Sequence, residues 1–151
     1  MYISLTELGE YTKKCPLTYG VTSTLAMMDD EYYIPELSDV RHMIDGYLNR
    51  LAELQVHYTP NLFDCDGFAK ALAAFASLQA VKDGVVRAPW PCALITGYTS
   101  QGPHAMCLFL VRRQVNGEDV VEWVLVEAQT GDVFYQESMA GIISHVSLAV
   151  F

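Results

Sequence analysis

The sequence has few basic residues. Lys and Arg together number 9 among 151 residues, against 18 Asp and Glu, so the formal net charge is -9. The acids are scattered along the chain rather than gathered in one block. Binding to nucleic acid needs a clustered Lys/Arg surface that neutralises phosphates, so this composition argues against a nucleic-acid partner.

The sequence also lacks a long apolar run. No stretch reaches the roughly 18 uncharged apolar residues of a membrane span. The first residues, "MYISLTELGE", have neither the cationic start nor the apolar centre of an export signal. We therefore expect a soluble, cytoplasmic protein with no membrane partner.

Cysteine is present but sparse, at Cys15, Cys65, Cys92 and Cys107. The sequence contains no C-x-x-C or H-x-x-x-H spacing, so it gives no support for a zinc site, and we expect neither a metal nor another cofactor. With 52% hydrophobic residues, a chain of this length can bury a core without disulfides. Free thiols in a reducing compartment are the simpler interpretation.

Length and pattern predict one domain, residues 1–151, of the α+β class. The opening "MYISLTELGEYTKK" fits either a short strand or an irregular helix, ended by Cys15-Pro16. Apolar residues at three- and four-residue spacing then predict an amphipathic helix over 38–54, with Ser38 as its cap. A second helix, from Cys65 to about Val81, is apolar on more than one face, which is typical of a central buried helix.

The rest of the chain changes to period-two patterns and short apolar runs, which predict strands at "CALITGY", "HAMCLFLVRR", "EWVLVEAQ" and "SHVSLAVF". Asn116-Gly117, between the second and third runs, is a strong hairpin signal and makes those two strands antiparallel. The predicted architecture is therefore N-terminal helices, with a central buried helix packed on an antiparallel sheet.

Cys65 is the first candidate for chemistry. Asp64 is a good N-cap residue, which places Cys65 in the first turn of the central helix. There the free backbone N–H groups and the helix dipole favour a thiolate and can hold an oxyanion. Asp64 and Asp66 oppose this as like charges, unless they turn outward or are occupied in capping.

His104 and the end of the facing strand supply possible partners for that thiol. His104 begins a strand directly after the glycine-containing loop "TSQGPHAM", and "WVLVEAQTG" brings Glu127 and Gln129 to the neighbouring strand. Cysteine, histidine and carboxylate are the nucleophile, base and orienting group of acyl transfer. The candidate catalytic residues are Cys65, His104 and Glu127, with Gln129 an alternative in the third position. The segment before the cysteine offers His57 and Tyr58 as cleft-wall residues and Asn61 as an oxyanion donor.

Four short motifs, "CDGFA", "ITGY", "HAM" and "EWVLVEAQ", occur in this order within residues 60–135. This order resembles the transglutaminase-like branch of the papain-like cysteine hydrolases. The resemblance implies a papain-like core in which Cys65 attacks an amide of a peptide or protein substrate to form a thioester. It also implies that His104 moves the proton and Glu127 orients His104. Family members usually carry Asp in that third position; the papain-like catalytic domain of some fungal agglutinins is similar in using Glu.

Two alternatives remain open at this stage. "DCDGFA" and "ISHVSLAVF" also resemble the cysteine and histidine motifs of NlpC-type cell-wall amidases, which would make His145 the base. The other alternative is a catalytically silent binding module that engages a partner through its cleft or acidic surface, as a viral or mobile-element accessory protein would. The main expectation is a cysteine hydrolase (thiol protease) with a Cys-His-Glu triad.

Overall fold

The structure is a computed structural model that describes residues 1–17, 30–82 and 88–150. Its elements in chain order are β1 Tyr2–Ser4, α1 Leu5–Lys13, β2 Glu31–Tyr33, α2 Leu37–Glu53, α3 Cys65–Lys82, β3 Cys92–Thr99, β4 Gly102–Val115, β5 Glu118–Val126, β6 Val133–Tyr135, α4 Met139–Ile142 and β7 Ser144–Val150. The α+β class is confirmed. None of the helices in these ranges has the length and apolarity needed to span a bilayer.

The N-terminal segment forms both a short strand and a helix, the two structures that its sequence allowed. β1 leads directly into α1, and Ser4 caps the helix through a reciprocal pair of hydrogen bonds. The Ser4 hydroxyl accepts from the Glu7 N–H at 3.3 Å, and the Glu7 carboxylate accepts from the Ser4 N–H at 2.8 Å. This capping box satisfies two helix-terminal donors and fixes the change from strand to helix.

The two long helices lie where the periodicity predicts them. α2 begins one residue before the predicted start, because Glu36, and not Ser38, is the N-cap; the Glu36 N–H donates to the Asp39 carboxylate at 3.2 Å. α3 begins at Cys65, and the Asp64 carbonyl accepts the helical hydrogen bond from the Phe68 N–H at 3.0 Å. Cys65 therefore occupies the first turn, as expected.

Five strands form one antiparallel sheet in the order β6-β5-β4-β3-β7. The predicted β4–β5 hairpin is confirmed: Val115 pairs with Glu118, and Asn116 and Gly117 have φ of 52° and 87°. Positive φ at both central residues is the type I′ geometry that Asn-Gly favours. β1 and β2 form a separate two-stranded sheet.

The large sheet is buried on both faces, whereas the sequence pattern predicted a single helical layer. Alternate residues of β4 enter two different cores. One core contains α2 and α3 and takes Ala105, Cys107, Phe109 and Val111. The other contains the N-terminal segment and takes Met106, Leu108 and Leu110. A side-chain hydrogen bond supports that second layer, since the Trp123 indole N–H donates to the Tyr11 carbonyl at 2.9 Å.

Two hydrogen bonds fix the first turns of α3 in place. The buried Tyr47 hydroxyl of α2 donates to the Phe68 carbonyl at 3.0 Å, and the Cys107 thiol of β4 donates to the Ala69 carbonyl at 3.1 Å. Burial raises the pKa of Tyr47 above its ordinary value. A hydrogen bond to Cys107, together with burial, raises the pKa of the Cys92 thiol. The start of α3 is thus held from α2 on one side and from the sheet on the other.

Candidate functional site

An open cleft of about 590 Å³ brings the start of α3 together with one end of the sheet. It is lined by Tyr58, Cys65, Thr99, Ser100, Gln101, Pro103, His104, Met106, Glu127, Gln129, Thr130, Asp132, Phe134, Gly141 and Ile142. Six of these fifteen residues come from connections between strands, where a rigid sheet positions polar side chains. Cys65, His104, Glu127 and Gln129, all predicted site residues, lie in this one cleft.

His104 and Glu127 are hydrogen-bonded to each other, through Nε2 and Oε2. The register explains why: Cys107 pairs with Val126, so His104 near the start of β4 and Glu127 just after β5 lie at the same end of the hairpin. Their side chains are 22% and 16% exposed, so the pair is partly shielded from water. The carboxylate fixes the orientation of the imidazole at the cleft wall.

The backbone that follows β5 holds the Glu127 carboxylate in place. Its second oxygen, Oε1, accepts from the Gln129 N–H at 3.0 Å. The Glu127 N–H donates to the Asp132 carbonyl at 2.9 Å, and the Gly131 N–H donates to the Glu127 carbonyl at 2.8 Å. Of the two candidates for contact with His104, the structure therefore places Glu127 there, and Gln129 supports it through its backbone.

Gly131 lets this loop pack against α2. Its φ is 79°, a conformation that side-chain-bearing residues rarely adopt. A Cβ at this position would lie 2.8 Å from Leu48 Cδ1 and 2.9 Å from Ile44 Cγ2. The close approach of loop and helix is therefore possible only with glycine.

Cys65 is half-buried at the cleft wall, whereas Cys15 and Cys107 are buried in the cores. The neighbouring aspartate turns away, because Asp66 forms an ion pair with Lys70 that is exposed to solvent. A hydrogen bond with Asp64 and the contact with Lys70 lower the pKa of Asp66. The negative charge of Asp66, which the sequence led us to expect to oppose a thiolate at Cys65, is thus partly neutralised by Lys70, one turn further along α3.

Several predicted residues lie elsewhere. Asn61 is exposed in a turn with φ of 61°, His57 is exposed before it, and His145 is exposed on β7 with φ of 50°. None of these three is among the residues that line the cleft, whereas Tyr58 is, with 56% of its surface exposed. Within the described residues, no group of three or more His, Cys, Asp or Glu could hold a metal ion.

Sequence reasoning missed the polar rim that the loops contribute. Gln101 comes from the β3–β4 turn, and Thr130 and Asp132 come from the turn after β5. The Thr130 hydroxyl donates to the Asp132 carboxylate at 2.6 Å. The turn residues in "TSQGP" and "QTGD" signalled loops, but only the pairing of β3, β4 and β5 shows that both loops reach one cleft.

No protein-family model matches the chain, and no curated protein matches it. Solved structures do. The solved complex of PSL1a with E64 matches with a TM-score of 0.70 and 19% sequence identity. The match covers 99% of this chain and 50% of the PSL1a chain. The Polyporus squamosus lectin bound to the human-type influenza-binding epitope Neu5Acα2-6Galβ1-4GlcNAc matches with a TM-score of 0.68 and 15% identity, over 99% of this chain and 49% of the other.

The chain shares its fold with half of a lectin. It spans about half the length of each solved chain, and at this identity the likeness concerns the fold.

These comparisons overturn the family prediction. One of these two solved neighbours is a lectin, and neither of them is described as a papain-like or transglutaminase-like hydrolase. The expected peptide hydrolase, its thioester chemistry and its peptide substrate are corrected accordingly, and so is the NlpC-type alternative. The physical reason is that four motifs of a few residues each do not determine a family, because similar Cys, His and acid arrangements recur on unrelated folds. The binding-module alternative agrees better with these neighbours, and the catalytic roles of Cys65, His104 and Glu127 stay a prediction.

Proposed function

We propose that this protein is a carbohydrate-binding module that holds its ligand in the cleft between α3 and the end of the sheet. The observation that carries the proposal is the composition of that cleft. An exposed aromatic ring, Tyr58, stands beside a rim of neutral polar side chains that includes Gln101, Gln129 and Thr130. The lectin bound to a sialylated trisaccharide, which shares the fold, supports a sugar as the ligand.

Polar side chains suit the cleft to a sugar because a saccharide offers many hydroxyl groups that both donate and accept hydrogen bonds. Amide side chains such as those of Gln101 and Gln129 also do both. The rigid elements behind the rim keep these groups in place, since β4 and β5 are paired throughout. A few positioned polar groups in a concave site are the usual source of orientation and specificity.

Tyr58 provides the apolar part of the proposed contact. A tyrosine ring presents a large rigid face to the C–H surface of a sugar at a small cost in conformational entropy. Tyr58 is 56% exposed and lies in the connection between α2 and α3, directly before the helix that carries Cys65. It therefore lines the cleft from this connection, whereas Gln129 and Thr130 line it from the loop after β5.

The test is a binding titration against a panel of neutral and sialylated oligosaccharides, followed by ligand-observed NMR. Tyr58→Ala is expected to weaken binding roughly three- to tenfold, because an aromatic contact is worth about 0.5–1.5 kcal/mol. Tyr98→Ala is the matched control: Tyr98 is 55% exposed but does not line the cleft. Absence of saturable binding to every sugar, or an equal loss in both variants, would overturn the proposal.

A second candidate ligand for the same cleft is a thiol-reactive small molecule. Cys65 lines the same cleft as the His104–Glu127 pair, and one solved neighbour is the complex of PSL1a with E64, an epoxide. In such a reaction the Cys65 sulfur forms a bond to an epoxide carbon while the carbon–oxygen bond of the ring breaks. The thiol proton leaves to solvent, and the ring oxygen takes up a proton to become a hydroxyl.

Mass spectrometry tests this second candidate directly. After treatment with E64, we expect one adduct that maps to Cys65 and is absent from Cys65→Ser. The buried thiols Cys15 and Cys107 serve as internal controls. If Cys65 is modified no faster than those two, the candidate fails, whatever the outcome of the sugar titration.

A further inference from the structure

Among the described residues that line the cleft, acidic side chains are present and Lys and Arg are absent. Two carboxylates, those of Glu127 and Asp132, line it. The His104 imidazole, which also lines it, is hydrogen-bonded to Glu127. A ligand group that enters the cleft therefore meets acceptor oxygens and negative potential.

Basic side chains do not line this cleft: none of the Lys and Arg residues within 1–17, 30–82 and 88–150 is among its lining residues. Several are already paired with carboxylates elsewhere, namely Lys13 with Glu10, Arg50 with Glu53, Lys70 with Asp66, Arg112 with Glu36 and Arg113 with Glu122. Arg41 donates to the Tyr135 hydroxyl. Recognition of an anionic group normally uses an Arg or Lys that contacts it.

We infer that the cleft selects an uncharged carbohydrate over an anionic one, in contrast to the sialylated epitope of the lectin that shares its fold. This inference rests on the proposed function and names the class of its ligand. A neutral sugar pairs its hydroxyls with the acceptors at Glu127 and Asp132. A sialic acid carboxylate in the same place is repelled, and none of the described lining residues is a Lys or Arg that would offset its desolvation.

The experiment compares two matched ligands, the trisaccharide Neu5Acα2-6Galβ1-4GlcNAc and its neutral part Galβ1-4GlcNAc. At low salt, the neutral disaccharide is expected to bind at least about fivefold more tightly. The ratio of the two affinities should approach one in about 0.5 M salt, because screening shortens the reach of the cleft carboxylates to a few ångströms. An equal or tighter affinity for the sialylated ligand at low salt would overturn the inference while leaving carbohydrate binding intact.

Two charge-matched variants assign the selectivity to the cleft. Asp132→Asn removes one negative charge from the lining and should shift the affinity ratio about two- to threefold toward the sialylated ligand. Asp119→Asn removes the same charge beside the hairpin turn, at the far end of β4 and β5, and should leave the ratio unchanged. If both variants shift the ratio equally, the net charge of the protein sets the preference and the inference is wrong. If neither sugar binds, the proposed function itself has failed.

Discussion

The His104 imidazole and the Glu127 carboxylate are bonded across the end of the β4–β5 hairpin, and the second oxygen of Glu127 accepts from the Gln129 backbone N–H. One carboxylate thus ties together two strands and the loop that follows them. Its contribution to stability and to the shape of the cleft can be measured separately.

Glu127→Ala is expected to lower the free energy of unfolding by about 1–2 kcal/mol, because it leaves a partly buried imidazole and a backbone N–H without their acceptor. Urea unfolding measures the change. The control is Glu53→Ala, which removes an exposed ion pair with Arg50 and should cost about 0.5 kcal/mol or less. Equal losses in the two variants would mean that the His104–Glu127 pair is no stronger than a surface contact.

Gly131→Ala should damage the cleft more than an ordinary glycine substitution does. The new Cβ would contact Leu48 and Ile44 at less than 3.0 Å, in addition to the strain of a positive φ. We expect a loss of about 2–4 kcal/mol in unfolding free energy and a change in the NMR signals of His104.

Gly117→Ala is the matched control for that experiment. Gly117 also has a positive φ, 87°, but a Cβ there meets no atom within 4 Å, so only the backbone strain of about 1–2 kcal/mol remains. The double variant Gly131→Ala with Leu48→Ala should recover the His104 signals, since it removes one of the clashing side chains. Failure of that rescue would show that the loop does not depend on its contact with α2.

We expect the buried Tyr47 side chain to make the free energy of unfolding depend on pH in the alkaline range. Burial raises its pKa, so the folded protein keeps the phenol protonated at a pH where the unfolded chain has lost that proton. The free energy of unfolding keeps the full contribution of Tyr47 below about pH 10, the pKa of an unfolded tyrosine. Above that pH, the contribution falls by about 1.4 kcal/mol per pH unit. Tyr47→Phe should flatten this decline and cost about 1 kcal/mol at neutral pH through the lost bond to the Phe68 carbonyl. An equally steep decline in Tyr47→Phe, measured by urea unfolding, would contradict this prediction.

Local patterns predicted much of the fold. Helical periodicity placed α2 and α3 within one residue of their observed starts, because both bury a continuous apolar face. Asn116-Gly117 fixed the hairpin, since few other dipeptides accept two positive φ angles. The second buried face of the sheet was not predicted: the run "AMCLFLV" is apolar on both faces, but it does not say which part of the chain covers the second one.

The candidate site was predicted in part. Strand order alone brought His104 and Glu127 to one end of a hairpin, and the helix start placed Cys65 in the same cleft. Gln101, Thr130 and Asp132 line the cleft because of the three-dimensional paths of two loops, and no local sequence pattern predicts those paths. Function was predicted wrongly because three residue types in sequence order describe a possible chemistry, whereas the ligand is set by the whole surface of the cleft.

β4 pairs with β3 over Gly102–Phe109 and with β5 over Cys107–Val115, so its centre, Cys107–Phe109, is paired on both sides and buried on both faces. We therefore expect its central amides to exchange with deuterium only when the whole fold opens, and to report the full free energy of unfolding. Gly102 and Pro103 begin the same strand at the turn, so His104 lies where this slowest-exchanging segment meets the solvent. The imidazole of the cleft is thus attached to the part of the molecule that opens last, while Tyr58 belongs to an exposed connection between two helices.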